Sequence, residues 1–377
     1  MDEYRKIYLN NAATSWPKPP CVAEAVASAI VNMPGAANRG GIESFDVFDE
    51  VRKHLAKRIG VTEHNCIALG SNSSWALNLG IFGMDLRAGD TVVSTKSEHN
   101  SVLRPLYALE QRGVKVVYVE ADQGGRIVEA EWAKALSENR PKLAVFTHAS
   151  NVTGAVNNAE KLTVYAREAG TTVLLDASQS CGWLEIRAED WGVDMVAVTG
   201  HKYLLGPQGT GALYVRPGLE LKPHLVGGTG KLSDLMTMPE EMPVHLEAGT
   251  GNEPSFHGLL AAMKWADENP LDKKAVDERM EYLKAGLRAL GVQLVEPGGE
   301  STPVLSFNVP GKAPEDTAFI LAEGYDIVCR SGLHCAPRIL ECIGHPRGTV
   351  RLSMSRFTTK EELDELLGAV KDIVDEV

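Results

Sequence analysis

The sequence predicts an α/β fold with a mostly parallel sheet and a second, smaller α/β unit. Segments of helical periodicity separate short apolar runs, and these runs end at Val93, Val119, Phe146, Asp176 and Val198. At 377 residues the chain is long for a single core, so two domains are expected. The composition changes toward a second α/β pattern from about residue 253. In sheets of this kind, polar residues that do chemistry collect at the carboxyl ends of the strands.

Several helix boundaries follow from capping residues and apolar stripes. The stripe from Phe48 to Ile59 predicts a helix that ends at Gly60, and residues 36–41 predict a loop ahead of it. Thr359 and Glu362 have the spacing of a capping box at the start of the last helix. These positions are expected to contribute to the core and to helix ends, with no chemical role.

The composition limits the classes of partner. The formal net charge of −12 argues against nucleic acid or an anionic membrane, so a small molecule or a protein is expected. No apolar run is long enough to span a bilayer, and the first residues lack the apolar stretch of a signal peptide. Six cysteines in a chain of this length fit free thiols in a reducing compartment. The expected location is therefore the cytoplasm.

A lysine and an aspartate stand at the ends of two neighbouring apolar strands. Lys202 follows the run Met195–Val198 and precedes a glycine-rich turn, where desolvation would lower the pKa of its amine and free it for carbonyl chemistry. A surface lysine in a hairpin loop is the ordinary alternative. Asp176 ends the run Val173–Leu175 one step earlier. The pair fits pyridoxal phosphate, whose aldehyde needs an amine and whose ring nitrogen needs an acid partner.

Three motifs carry a resemblance to a known family. Leu174-Leu-Asp-Ala-Ser-Gln179 and Thr199-Gly-His-Lys202 resemble motifs of the class V group of fold type I pyridoxal-phosphate enzymes. Arg330-Ser-Gly-Leu-His-Cys-Ala-Pro337 resembles the cysteine desulfurase and selenocysteine lyase branch of that group. The motifs occur in the order that the family has. The resemblance implies a mostly parallel seven-stranded sheet domain and a smaller α/β domain.

The same resemblance implies how the chain divides. A large cofactor-binding domain is expected over residues 16–252. Residues 1–15 and 253–377 are expected to form the small domain, which carries the loop with the reactive cysteine.

Cofactor contacts are implied by motif match at Ser73, Ser74, His99, Asn151, Asp176, Gln179, Thr199, His201, Lys202 and Thr250. The two serines begin a predicted helix, where hydroxyls and free amides form an anion site for the phosphate. A plain helix cap would look the same. By resemblance, Thr199 and His201 also bind the phosphate, His99 stacks on the ring and takes part in catalysis, and Asn151 binds the ring hydroxyl.

The resemblance also implies a homodimer, while the spacing of the potential ligands argues against a metal site. The threonine at position 250 would reach the phosphate of the neighbouring subunit's cofactor, although a tight Gly-Thr-Gly turn is an alternative. Five potential metal ligands fall close together at Cys329, His334, Cys335, Cys342 and His345. Their spacing is not that of a zinc site, so no metal is expected.

Substrate contacts are expected at Arg351, which would bind the substrate carboxylate, and at Asn11, Ala12 and Arg330. Positive charge around Cys335 favours a thiolate, so this cysteine is the predicted sulfur acceptor. The implied reaction converts L-cysteine to L-alanine and leaves a persulfide on the cysteine, with Lys202 moving a proton at the α-carbon.

Three alternatives stay open at this point. Leu333 stands where many sulfur-mobilising relatives carry histidine, so a selenocysteine lyase or a class V aminotransferase or β-lyase acting on another amino acid is possible. A sulfur carrier or scaffold without turnover is the third alternative, and the intact lysine, aspartate and arginine argue against it. A protein could accept the persulfide sulfur.

Overall fold

The computed structural model describes residues 6–32 and 45–376, so the loop predicted at 36–41 lies outside the described residues. The helices are α1 Pro20–Val31, α2 Val47–Ile59, α3 Ser73–Gly83, α4 Asn100–Glu110, α5 Glu129–Asn139, α6 Ala159–Glu168, α7 Ala188–Trp191, α8 Glu253–Glu268, α9 Lys273–Ala289, α10 Pro314–Tyr325, α11 Pro337–Cys342 and α12 Lys360–Asp375. The strands are β1 Ile7–Tyr8, β2 Ile67–Gly70, β3 Thr91–Thr95, β4 Lys115–Val119, β5 Leu143–Thr147, β6 Thr172–Asp176, β7 Met195–Thr199, β8 Gly211–Val215, β9 Gln293–Val295, β10 Val304–Asn308, β11 Ile327–Val328, β12 Arg330–Gly332 and β13 Thr349–Ser353. None of these helices combines the length and the apolar character that crossing a membrane requires.

The central sheet has seven strands in the order β2-β8-β7-β6-β5-β3-β4. The neighbouring pairs from β7 to β4 are parallel, and β8 runs antiparallel to both of its neighbours. This confirms the predicted α/β fold with a mostly parallel seven-stranded sheet. Because β3, β5, β6 and β7 point the same way, their carboxyl ends lie along one edge of the sheet.

Helices cover both faces of this sheet. Along β5, Ala144 and Phe146 pack into one apolar core with side chains of α2, α5, α6 and α8. The alternate residues Leu143 and Val145 pack into a second core with side chains of α3 and α4. A strand that is buried on both faces has a continuous run of apolar residues in its sequence, and the strands of this sheet show that pattern.

A smaller sheet of four antiparallel strands follows in the order β12-β13-β10-β9. The N-terminal strand β1 pairs in parallel with β11, which brings residues 7 and 8 beside this C-terminal part of the chain. Apolar side chains of α9, α10 and α12 form a separate core with these strands.

We propose that the chain has two domains, as the resemblance implies. The separate cores support this division. Helix α8, however, packs through Phe256, Leu259 and Met263 into the core of the large sheet. This packing favours a boundary after Glu268 over one before Glu253.

The capping residues explain two helix ends. Gly60 follows α2 in the left-handed conformation with φ 66°, which glycine adopts without steric cost. Thr359 and Glu362 form both bonds of the predicted capping box at the start of α12.

Candidate active site

A cavity of about 320 Å³ opens at the carboxyl edge of the large sheet. It is lined by most of the residues that the sequence predicts for the site, namely Ala12, Ser73, Ser74, His99, Asn151, Asp176, Gln179, His201, Lys202, Arg330 and Arg351. The parallel strands explain this convergence, because loops that follow β3, β5, β6 and β7 meet at one edge.

Lys202 lies in the turn between β7 and β8. The turn is closed by backbone hydrogen bonds from Gly200 N to Thr210 O at 2.9 Å and from Gly206 N to Gly200 O at 2.8 Å. A side chain at position 200 would place its Cβ 2.1 Å from Thr210 Oγ1, so the turn requires glycine there. Burial lowers the pKa of the Lys202 amine to about 8, and the charge of Asp176 partly opposes this shift. A substantial fraction of the amine is therefore neutral near pH 8 and able to attack a carbonyl.

Asp176 is the last residue of β6 and is buried. Its Oδ1 accepts hydrogen bonds from Ser178 N at 2.9 Å and from Ser178 Oγ at 2.5 Å. These bonds fix the orientation of the carboxylate at the cavity. Because only Oδ1 accepts from Ser178, the other carboxylate oxygen is available to a ligand.

The predicted phosphate cradle is formed by the first turn of α3. Asn72 caps this helix, since its Oδ1 accepts a hydrogen bond from Trp75 N at 2.9 Å. Ser73 and Ser74 are the first two helical residues, and both line the cavity. The helix can start there because Gly211 has no side chain, and a Cβ at that position would lie 2.5 Å from the Asn72 carbonyl carbon.

Three polar atoms at the carboxyl edge are buried and lack a hydrogen-bond partner within the described residues: Gln179 Oε1, Thr199 Oγ1 and His201 Nδ1. Buried polar atoms in folded proteins are nearly always paired, so unpaired ones at a cavity indicate a ligand. Two of the three belong to residues that line the cavity. Together with the serines of the cradle, this donor and acceptor set fits a phosphorylated cofactor.

A hydrogen-bond network joins Arg351, the predicted partner of the substrate carboxylate, to the loop that carries Cys335. Arg351 donates from Nη1 to Asn151 O and from Nη2 to Asn10 Oδ1, each at 2.9 Å, while its Nε has no partner among the described residues. Burial lowers the pKa of Arg351 to about 10, so the guanidinium stays charged at neutral pH. Asn151 donates from Nδ2 to His334 O at 2.8 Å. By resemblance, the Asn151 side chain binds the hydroxyl of the cofactor ring. Its amide therefore also holds the backbone just before Cys335.

His99 is the N-cap of α4, and its Nδ1 accepts a hydrogen bond from Ser101 N at 3.0 Å. Burial lowers the pKa of His99 to about 3, and the charges of Lys202 and Arg330 act in the same direction. The imidazole is therefore neutral throughout the physiological pH range.

Cys335 lies in a tight loop at the edge of the cavity. His334 and Cys335 both have positive φ angles, 50° and 57°, which side-chain-bearing residues seldom adopt. Hydrogen bonds from Asn100 N to Cys335 O at 2.7 Å and from Ala336 N to Leu333 O at 2.9 Å hold this backbone. Arg330, which lines the cavity, donates from Nη2 to Cys335 Sγ at 3.0 Å. This hydrogen bond holds the sulfur of Cys335 beside the cavity.

Four predicted residues do not line this cavity, namely Cys335, whose loop lies at its edge, and Asn11, Thr199 and Thr250. The amide of Asn11 is used within the protein, since Nδ2 donates to Ser353 O at 2.9 Å and Oδ1 accepts from Trp16 N at 3.1 Å. Its neighbour Asn10 faces Arg351 instead. Thr199 is buried at the end of β7, and Thr250 is exposed in a separate groove of about 700 Å³. The position of Thr250 is compatible with a role toward a second subunit.

Several lining residues were not predicted as site residues, namely Ala13, Asn72, Ser101, Thr147, Ala149 and Ser178. Two of them were predictable as residues at the carboxyl ends of strands, because Thr147 ends β5 and Ser178 follows Asp176 by two residues. Ser101 has no such signal. Its position depends on how the first turn of α4 packs against α3.

Comparison with known proteins identifies the family. The aminotransferase class-V family matches residues 7–366. A probable cysteine desulfurase from Pyrococcus abyssi is 32% identical over 98% of this chain and 94% of that protein. Another from Methanothermobacter thermautotrophicus is 33% identical over 96% of this chain and 93% of its own. The apo structure of a cysteine desulfurase from Thermococcus onnurineus has a TM-score of 0.88 and 29% identity, and the match covers 99% of this chain and 95% of that one. The chain therefore belongs to the aminotransferase class-V family, among the members named cysteine desulfurase.

Proposed function

We propose that this protein is a pyridoxal-phosphate-dependent cysteine desulfurase that converts L-cysteine to L-alanine and leaves the sulfur on Cys335. The observation that carries the proposal is the hydrogen bond from Arg330 Nη2 to Cys335 Sγ at 3.0 Å. Arg330 lines the cavity that also contains Lys202, so the thiol lies beside the place where a substrate amine would react. The names of the relatives support the same activity.

Residues in and around the cavity offer partners for the aldehyde, the ring nitrogen and the phosphate of the cofactor. The Lys202 amine would attach to the aldehyde, Asp176 would keep the ring nitrogen protonated, and the ring would stack on His99. The phosphate would be bound by Ser73, Ser74, Thr199, His201 and the partner subunit's Thr250. When bound, the cofactor supplies an electron sink for the charge released at the substrate α-carbon.

The chain's own residues would bind the substrate and accept its sulfur. Arg351 would hold the substrate carboxylate, and Lys202 would move a proton at the α-carbon. The Cys335 thiolate would attack the substrate sulfur, so that an S–S bond forms while the bond between sulfur and the β-carbon breaks. The β-carbon then gains a proton, which completes alanine, and the cysteine carries the persulfide.

We expect Arg351→Lys to raise the KM for L-cysteine by about 10- to 100-fold, with a smaller effect on kcat, because an ammonium cannot form the paired bonds of a guanidinium with a carboxylate. Steady-state kinetics with saturating cofactor would measure this. Arg356→Lys is the matched control, since Arg356 packs over Trp265, away from the cavity. An unchanged KM in Arg351→Lys would remove this arginine from the substrate site.

The dimer is a further part of the proposal, in which Thr250 completes the site of the partner subunit. A mixture of Lys202→Ala and Thr250→Ala chains would then form hybrids with one fully intact site. With random exchange, half of the dimers are hybrids and about a quarter of wild-type activity should return. A mixture of Lys202→Ala with His99→Gln is the control, because both residues act in their own subunit and no site is restored. Proven exchange without recovery would contradict the shared site.

Selenocysteine is the second candidate substrate, because Leu333 occupies the position where many sulfur-mobilising relatives carry histidine. Its side chain is 47% exposed next to Cys335. Assays of selenide and sulfide release, each with Cys335→Ala, would separate the two activities. A selenocysteine lyase would retain selenide release in the variant.

We also propose that the persulfide sulfur passes to an external thiol, which a protein could supply, and that the chain works in the cytoplasm. All six cysteines are free, which supports a reducing compartment.

A further inference from the structure

A chain of hydrogen bonds joins the start of α3 to His99. The hydroxyl oxygens of Ser74 and Ser101 are 2.6 Å apart, and Ser101 Oγ lies 2.9 Å from His99 Nδ1. All three residues line the cavity. The chain therefore begins at a serine of the proposed phosphate cradle and ends at the histidine that would stack on the cofactor ring.

The direction of these bonds follows from the cap of α4. Ser101 N donates to His99 Nδ1 at 3.0 Å, and a backbone N–H can only donate. Nδ1 therefore carries no proton, and the single proton of the neutral ring is on Nε2. Burial, together with the charge of Lys202, lowers the pKa of His99 to about 3 and keeps the ring neutral.

The proton-free Nδ1 determines which way the serine hydroxyls point. If Ser101 donated to Ser74, a lone pair of Ser101 Oγ would face the lone pair of Nδ1 at 2.9 Å. The Ser101 hydroxyl therefore donates to His99. The single proton of the Ser101 hydroxyl is then used, and its oxygen can only accept from Ser74. The Ser74 hydroxyl therefore donates to Ser101.

We propose that Ser101 is a positioning residue that transmits occupancy of the phosphate cradle to His99. A phosphate dianion is only an acceptor, and it would draw the single hydroxyl proton of Ser74 away from Ser101. Hydrogen bonds in a chain strengthen one another, so the loss of the first donor weakens the donation from Ser101 to Nδ1. The imidazole would then hold its Nε2 proton more firmly when the phosphate is bound. This inference rests on the proposed cofactor site, because it takes Ser74 as a phosphate ligand.

The test uses apoprotein labelled with ¹⁵N-histidine and titrated with inorganic phosphate, so it does not depend on turnover. The ring signals of His99 are assigned by their loss in His99→Gln. We expect wild-type protein to show a proton-free Nδ1 and a protonated Nε2, with both nitrogen signals shifting as phosphate binds. Ser101→Ala should bind phosphate but lose the shift, and Ser101→Thr, which keeps the hydroxyl, should retain it. Ser73→Ala is the matched control, since it should weaken phosphate binding and still show the full shift at saturation.

The outcomes separate this inference from the proposed function. A proton on Nδ1, phosphate binding without any shift in wild-type protein, or a shift that persists in Ser101→Ala would each overturn the role of Ser101. In all three cases pyridoxal phosphate would still bind and L-cysteine would still be turned over. If neither phosphate nor pyridoxal phosphate binds the wild-type apoprotein, the proposed cofactor site fails, and the inference fails with it.

Discussion

Replacing Cys335 by alanine is expected to lower sulfide release from L-cysteine by at least about 1,000-fold, because the variant lacks the thiolate that takes the substrate sulfur. The cofactor site should remain intact. The loop around position 335 is held through backbone atoms, with Asn100 N bound to Cys335 O and the Asn151 amide bound to His334 O. Truncation of the side chain leaves these bonds in place, so pyridoxal phosphate should bind as in wild-type protein.

Mass spectrometry of tryptic peptides after a single turnover would locate the transferred sulfur. The other nearby thiols are poor acceptors, since burial raises the pKa of Cys329 to about 12 and also raises the pKa of Cys342. Both therefore stay protonated at neutral pH. Cys342→Ala is the matched control, because this thiol contacts Glu120 outside the cavity and its removal should not affect turnover. Extra sulfur on Cys329 or Cys342, or full desulfurase activity in Cys335→Ala, would contradict the assignment.

The parts of the site that depend on strand ends were predictable from the sequence. Asp176 and Lys202 each follow an apolar run, and parallel strands bring such positions to one edge of the sheet. The fold and the start of the phosphate cradle follow from the same pattern, since periodicity and capping residues are local properties.

The hydrogen-bond partners within the site were not predictable in this way. Asn10 and Asn11 are adjacent and chemically identical, yet Asn10 ends an extended segment and Asn11 begins a turn, so their side chains meet different partners. Only the packing of the small sheet shows that Asn10 faces Arg351 while Asn11 binds Ser353. The use of the Asn151 amide by the cysteine loop likewise depends on contacts between residues far apart in the sequence.

The domain boundary also depends on contacts between residues far apart in the sequence, which the sequence pattern does not show. The change in composition near residue 253 indicates a new α/β pattern, but it cannot show where α8 packs. That helix carries apolar side chains on the face that joins the large core, and this contact is decided by tertiary packing.

Lysine 202 is expected to be the residue that holds the cofactor covalently, and Lys202→Ala should lose this bond together with nearly all activity. Borohydride reduction followed by peptide mapping would identify the modified lysine. Lys18 is the other lysine that could react with the cofactor, because burial also lowers the pKa of its amine to about 8. A variant at this position is therefore the control. Its Nζ is held by Ser15 Oγ at 2.9 Å, and it does not line the cavity. Lys18→Ala should therefore still carry the cofactor on Lys202.

The pH dependence of cofactor attachment gives a second measurement on the same lysine. Only the neutral amine attacks the aldehyde, and burial lowers the pKa of Lys202 to about 8 from the ordinary 10.5. At pH 7 about a tenth of the amine is then neutral, compared with about 0.03% at an unshifted pKa. The rate at which apoprotein takes up pyridoxal phosphate should rise about tenfold per pH unit below pH 7 and level off above about pH 8. A rate that keeps rising to about pH 10 would show that the amine has an ordinary pKa and that burial does not activate it.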